Sequence, residues 1–177
     1  MSVYQFTYHA FGSLTPEGEQ HRFVLRNQPP AKRQLPLAER YRLAIEERET
    51  FFNTDHQRKL IDIVMDFQAK ESYRCFGVAA DDTRVQAVVA WTTGVSSVDM
   101  RSAIWAALGR GMNREFGRQP WLCDVAIRRD GDAKRIRNRT QFDYVLDCYL
   151  PEQACQQQTG MVWTARQGFV GGLARTA

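Results

Sequence analysis

The stretch from Tyr73 to Thr93, "YRCFGVAADDTRVQAVVAWTT", constrains this chain most. Two apolar runs, 73–80 and 85–93, flank the polar break "DDTR", the pattern of a β-hairpin. Within the second run "AVVAW" is apolar without alternation, so its strand needs cover on both faces and belongs inside a sheet. The rest of the chain has to supply that cover.

Helical periods flank the hairpin. From Thr54 to Glu71, Leu60, Ile61, Ile63, Val64 and Phe67 form one apolar stripe, and Thr54 with Gln57 has capping-box spacing. A preceding helix over Pro36 to Phe52 is charged nearly all round, so Tyr41, Ala44, Ile45, Phe51 and Phe52 must make its buried side. A third helix, about Val98 to Phe116, starts at Ser96 or Ser97 with Asp99 completing a cap, and Gly117 and Pro120 stop it. Strands are expected at 3–11 and 21–27 as an opening hairpin, and at 121–128 and 141–150 as a closing one. "MVWTARQ" is a further strand candidate, "PEQACQQQTG" a turn or short helix, and the tail at about 168–177 is expected to be loose.

The segment from 21 to 128 then reads β-α-β-β-α-β. The expected fold class is α+β: a single domain over 1–177, with an antiparallel sheet, helices on one face, and a ferredoxin-like core carrying extra hairpin strands. At 177 residues, 44% hydrophobic and 25% charged, the chain can bury a core without disulfides or metal. Of its four cysteines, Cys75, Cys123 and Cys148 fall in apolar runs and read as structural thiols, and no pair including Cys155 has zinc-knuckle spacing. No apolar run approaches a membrane span, and "MSVYQFTYHAFGSL" lacks the plan of a signal peptide, so the expectation is a soluble, cytoplasmic chain with no membrane partner.

Formal charge is +4, which favours anionic partners without choosing among them. The charge concentrates between Ala126 and Leu150, where Arg128, Arg129, Lys134, Arg135, Arg137 and Arg139 fall between two strand-like stretches. Pairing Trp121, Cys123, Val125 and Ile127 with Phe142, Tyr144, Leu146, Cys148 and Leu150 leaves residues 129–140 as a long basic loop. Such a loop is either a solvated excursion or a finger laid on a polyanion, for which arginine offers planar, permanently charged forks. A ferredoxin-like order would also bring the ends of strands 85–93 and 121–128 to one end of the sheet, beside the helix start at Gly94, Ser96 and Ser97, whose free N–H groups attract anions.

The leading expectation is therefore a protein that binds DNA or RNA, or a subunit of a nucleic-acid-processing complex, using the basic 128–139 loop. One alternative is a transferase that binds the pyrophosphate of acyl-CoA or a nucleotide at residues 94–97. Another is a non-enzymatic assembly protein with protein partners. Arg110, Arg114 and Arg118 form a stripe that a helix C-terminus favours without any ligand, and Lys32, Arg33 and Arg84 make a weaker basic patch at the opposite end of the sheet. Asp124, Asp143 and Asp147 would share a face and could hold Mg²⁺, although an alternating polar face is usually just wet. Enzyme motifs with specific spacing are absent, so no catalytic residue, metal ligand or cofactor is assigned, and the expectation leans away from an enzyme.

Overall fold

The central hairpin forms as expected, and six strands organise around it in the computed structural model, which describes residues 2–10, 50–70, 73–92, 94–117, 133–156 and 160–171. In chain order the elements are β1 (Ser2–His9), α1 (Thr54–Lys70), β2 (Tyr73–Ala80), β3 (Arg84–Trp91), α2 (Ser97–Phe116) and β4 (Ala133–Ile136). There follow α3 (Arg139–Tyr144), a π-helical segment (Val145–Tyr149), α4 (Leu150–Gln156), β5 (Met161–Thr164) and β6 (Gly168–Gly171). The sheet order is β4-β1-β3-β2-β5-β6, with every described pairing antiparallel.

The first six elements run β-α-β-β-α-β with order β4-β1-β3-β2, which is compatible with the expected ferredoxin-like core. Its boundaries differ from those expected. The first core strand is 2–9 rather than 21–27, and the last is 133–136 rather than 121–128. The candidate strands at 21–27 and 121–128, and residues 36–49 of the helix candidate over Pro36 to Phe52, lie outside the described residues, and the last three residues of that candidate, 50–52, are not helical. Gly168 to Gly171, expected to be part of a loose tail, instead pairs with β5 and extends the sheet.

β3 lies between β1 and β2 and is buried from Val85 to Trp91, as its unbroken apolar run required. Its turn from β2 is held by Asp81, whose carboxylate accepts from the Thr83 and Arg84 N–H groups and pairs with the Arg84 guanidinium at 2.5 Å. Arg84 is therefore consumed by the turn.

One face of the sheet carries α1 and α2. Phe6, Tyr8, Val78, Val85, Val89 and Trp91 meet Leu60, Ile61, Val64, Ile104, Leu108 and Met112 in one closed apolar cluster. Asn53, one residue before the expected Thr54, caps α1: its side chain accepts from the His56 N–H at 2.9 Å. Phe52 is buried and Phe51 is 55% exposed in the segment before α1, so only one of these two phenylalanines supplies core. For α2 the expectations hold at both ends, with Ser96 as N-cap accepting from the Asp99 N–H and Gly117 closing the helix at φ 61°, a conformation glycine adopts without strain.

The opposite face corrects the reading of 141–150. Those residues are helical, not a strand. Val145, Leu146, Leu150 and Ala154 pack on Ala79, Val88, Ile136 and Val162, while Tyr144 and Cys148, which a strand would have turned inward, are exposed. The helix can sit this low because β2 has Gly77 beneath it, where a Cβ would come within 2.9 Å of both Leu146 and Leu150.

Candidate nucleic-acid interface

The basic segment folds as three pieces, not as the long loop between two strands. Lys134 and Arg135 belong to β4, Arg137 follows it, and Arg139 opens α3. Arg128 and Arg129 lie outside the described residues. β4 is short and pairs with β1 on its inner side, with Val3 opposite Ile136, Tyr4 opposite Arg135 and Gln5 opposite Lys134.

The turn into α3 is fixed by reciprocal capping. The Asn138 side chain accepts from the Gln141 N–H at 2.8 Å, and the Gln141 side chain accepts from the Arg137 N–H at 2.9 Å. Arg137 and Arg139 therefore project from an ordered corner.

Around that corner lies a groove of about 730 Å³, lined by Ser2, Val3, Phe76, Arg135, Ile136, Arg137, Asn138, Arg139 and Phe142. The strand register explains its shape: Ile136, Val3, Ala90 and Arg74 stand in one row across β4, β1, β3 and β2, and the small Ala90 lies between bulkier neighbours. Phe76 and Phe142 meet edge to face at 5.0 Å, and the Arg74 guanidinium lies 5.1 Å from the Phe76 ring centre. Arg139 and Arg166 approach Phe142 at 5.7 and 6.0 Å.

Two classes of cation result. Lys134, Arg135 and Arg137 are exposed and make no side-chain ion pair among the described residues. By contrast, Arg139 is held by Asp143, with Nε 3.0 Å from each carboxylate oxygen. Arg166, from the β5–β6 turn, bridges Asp143 and Asp147. The Arg166 guanidinium, and after it Arg139, holds the Asp143 carboxyl below the usual carboxylate range. Asp143 and Asp147 do share a face, now as helical i, i+4 neighbours, and arginine occupies it; Asp124 lies outside the described residues. No cluster of potential metal ligands occurs among the described residues.

The second anion candidate, the helix start at Gly94, Ser96 and Ser97, stands at the same end of the sheet as the groove. β3 and β4 both run antiparallel to β1 and both finish beside Ser2 and Val3, although the strand expected to end there with 85–93 was 121–128, which lies outside the described residues. The start is already occupied, however: the Ser96 hydroxyl both donates to the Asp99 carboxylate at 2.7 Å and accepts from its N–H.

Sequence reasoning missed Arg74, Phe76, Phe142 and Arg166 as groove neighbours. Arg74 and Phe76 carried a signal, since strand alternation places both on the same face of β2. Arg139 and Phe142 stand at helical i, i+3 spacing, a signal hidden by the strand assignment. Arg166 carried none, because it reaches Asp143 from a different hairpin.

No protein-family model and no curated protein matches the chain. Among solved structures, a REP-associated tyrosine transposase bound to a REP hairpin superposes with a TM-score of 0.47 at 10% identity, over 88% of this chain and 67% of that one. Among the described residues no helix is long and apolar enough to cross a membrane.

Proposed function

We propose that this protein binds nucleic acid, with phosphates meeting Lys134, Arg135, Arg137 and Arg139. The observation that carries the reading is the groove in which three of these cations surround two phenylalanine rings. Phosphates need permanent positive charge, which Lys134, Arg135 and Arg137, exposed and making no ion pair among the described residues, supply without first breaking one. Apolar walls of Val3, Ile136, Phe76 and Phe142 offer surface to a sugar or base. Arg128 and Arg129 add to the same basic segment in sequence. The pyrophosphate alternative is less well supported, because an incoming anion at Ser96 would have to displace the carboxylate of Asp99.

Fluorescence anisotropy with labelled DNA and RNA, duplex and single-stranded, tests the reading. Binding should weaken with salt, log K falling by about 3 per decade if three cations meet duplex phosphates and about 5 if six do. The triple variant K134E/R135E/R137E should lose binding while keeping the wild-type melting temperature, since all three side chains are exposed. Equal affinity in wild type and triple variant would overturn the assignment.

A further inference from the structure

Resting on the nucleic-acid reading, we infer that Asp143 and Arg166 are positioning residues that hold the Arg139 guanidinium so its two terminal nitrogens face a ligand phosphate. The argument starts from which atoms are used. Asp143 engages Arg139 through Nε alone, at 3.0 Å to each oxygen, and no described group takes the terminal nitrogens in a hydrogen bond. Arg139 is 77% exposed on its side chain, so without an anchor it would sample many rotamers, and each binding event would have to order it again.

The anchor is itself anchored. Arg166 gives one terminal nitrogen to Asp143 and the other to Asp147, so the carboxylate that holds Arg139 is fixed from the β5–β6 turn. Charges alternate along the series Asp147, Arg166, Asp143, Arg139, which ends at the groove. Two acids balance two bases within it, so the network adds no net charge and its contribution is the orientation of Arg139 at the groove end. A carboxylate that merely competed with phosphate for Arg139 would instead cover the terminal nitrogens in the two-pronged arrangement arginine favours.

The two roles predict opposite signs. If Asp143 positions Arg139, D143A and D143N weaken binding about five- to tenfold, the scale of one ordinary hydrogen bond. If Asp143 competes, both variants tighten it. R166A should weaken binding by a smaller factor than D143A, because Arg139 then keeps a looser anchor. R139K retains the charge but cannot hold a carboxylate with one edge and a phosphate with another, so it should lose about as much as R139A.

The deciding experiment is a double-mutant cycle in oligonucleotide affinity between D143A and R139A, with the Arg139 Nε–Hε NMR signal followed in parallel. Positioning predicts that D143A costs affinity in wild type, costs nothing further in R139A, and speeds hydrogen exchange at Nε. Additive losses, tighter binding by D143A, or an unchanged Nε signal would each overturn the inference while leaving the nucleic-acid reading intact. Absence of binding by wild type to every oligonucleotide would overturn both.

Discussion

The two faces of the sheet divide the labour of the molecule. On one, α1 and α2 cover the strands with large apolar side chains, and Phe6, Leu60, Ile61, Ile104 and Leu108 are fully excluded from solvent. On the other, one interrupted helical stretch covers only a smaller cluster around Val88, Leu146 and Leu150. Beside it the surface turns polar, with Gln5, Thr7 and Gln86 buried along the strands, and then opens into the cationic groove. Apolar burial is worth roughly 25 cal/mol per Å² wherever it occurs. A face covered edge to edge therefore secures the fold, and a partly covered one leaves room for a ligand.

Phe6→Ala breaks this comparison most directly. The ring is fully buried and stacked near Tyr4 and Trp91, so truncation should cost about 3–5 kcal/mol in urea unfolding. Binding per folded molecule should be unchanged, because the groove is on the other face. Gly77→Val attacks the other face. Its new methyl groups push against Leu146 and Leu150 and should cost about 1–3 kcal/mol. That variant should also weaken binding, because the helix it lifts carries Arg139 and Phe142. Loss of stability with unaltered affinity would show that the seating of this helix is irrelevant to the groove. Phe142→Ala should be smaller still in stability, since the ring is only partly buried, yet cost about 1–3 kcal/mol in affinity for single strands if a base stacks there.

The closed face was largely legible in the sequence and the open one was not, for a physical reason. α1 and α2 each follow a single period over many residues, and the unbroken apolar run of β3 is buried throughout, as a strand covered on both faces must be. Residues 141–150 satisfy two. Phe142, Leu146 and Leu150 recur at strand spacing and at helical spacing alike, and only Val145, buried between them, favours a helix. Asn138 with Gln141 was a helix-start signal of the right spacing, hidden because pairing 121–128 with 141–150 as strands turns 129–140 into their connecting loop. The π-helical segment then shifts the phase, so that no uniform period describes 139–156. Concentration of charge in 128–139 was visible, but the separation of free cations from paired ones was not. It depends on Arg166 arriving from the far hairpin.

Thiol chemistry supplies the smallest effect and the least intrusive test of the contrast. Cys75 points into the closed face, where burial pushes its thiol up to about 12 despite an S–H contact with the Gly77 carbonyl. A thiol that remains protonated and sealed is neither nucleophilic nor reachable. Cys148 stands on the exposed side of the helix over the other face. Brief alkylation of the native protein followed by peptide mass mapping should label Cys148 and spare Cys75, with both labelled in denaturant. Reaction at Cys75 under native conditions would mean that the first face opens on the timescale of alkylation. Its apolar cluster would then not be the permanent side of the molecule, and the groove could no longer be treated as an opening in an otherwise closed structure.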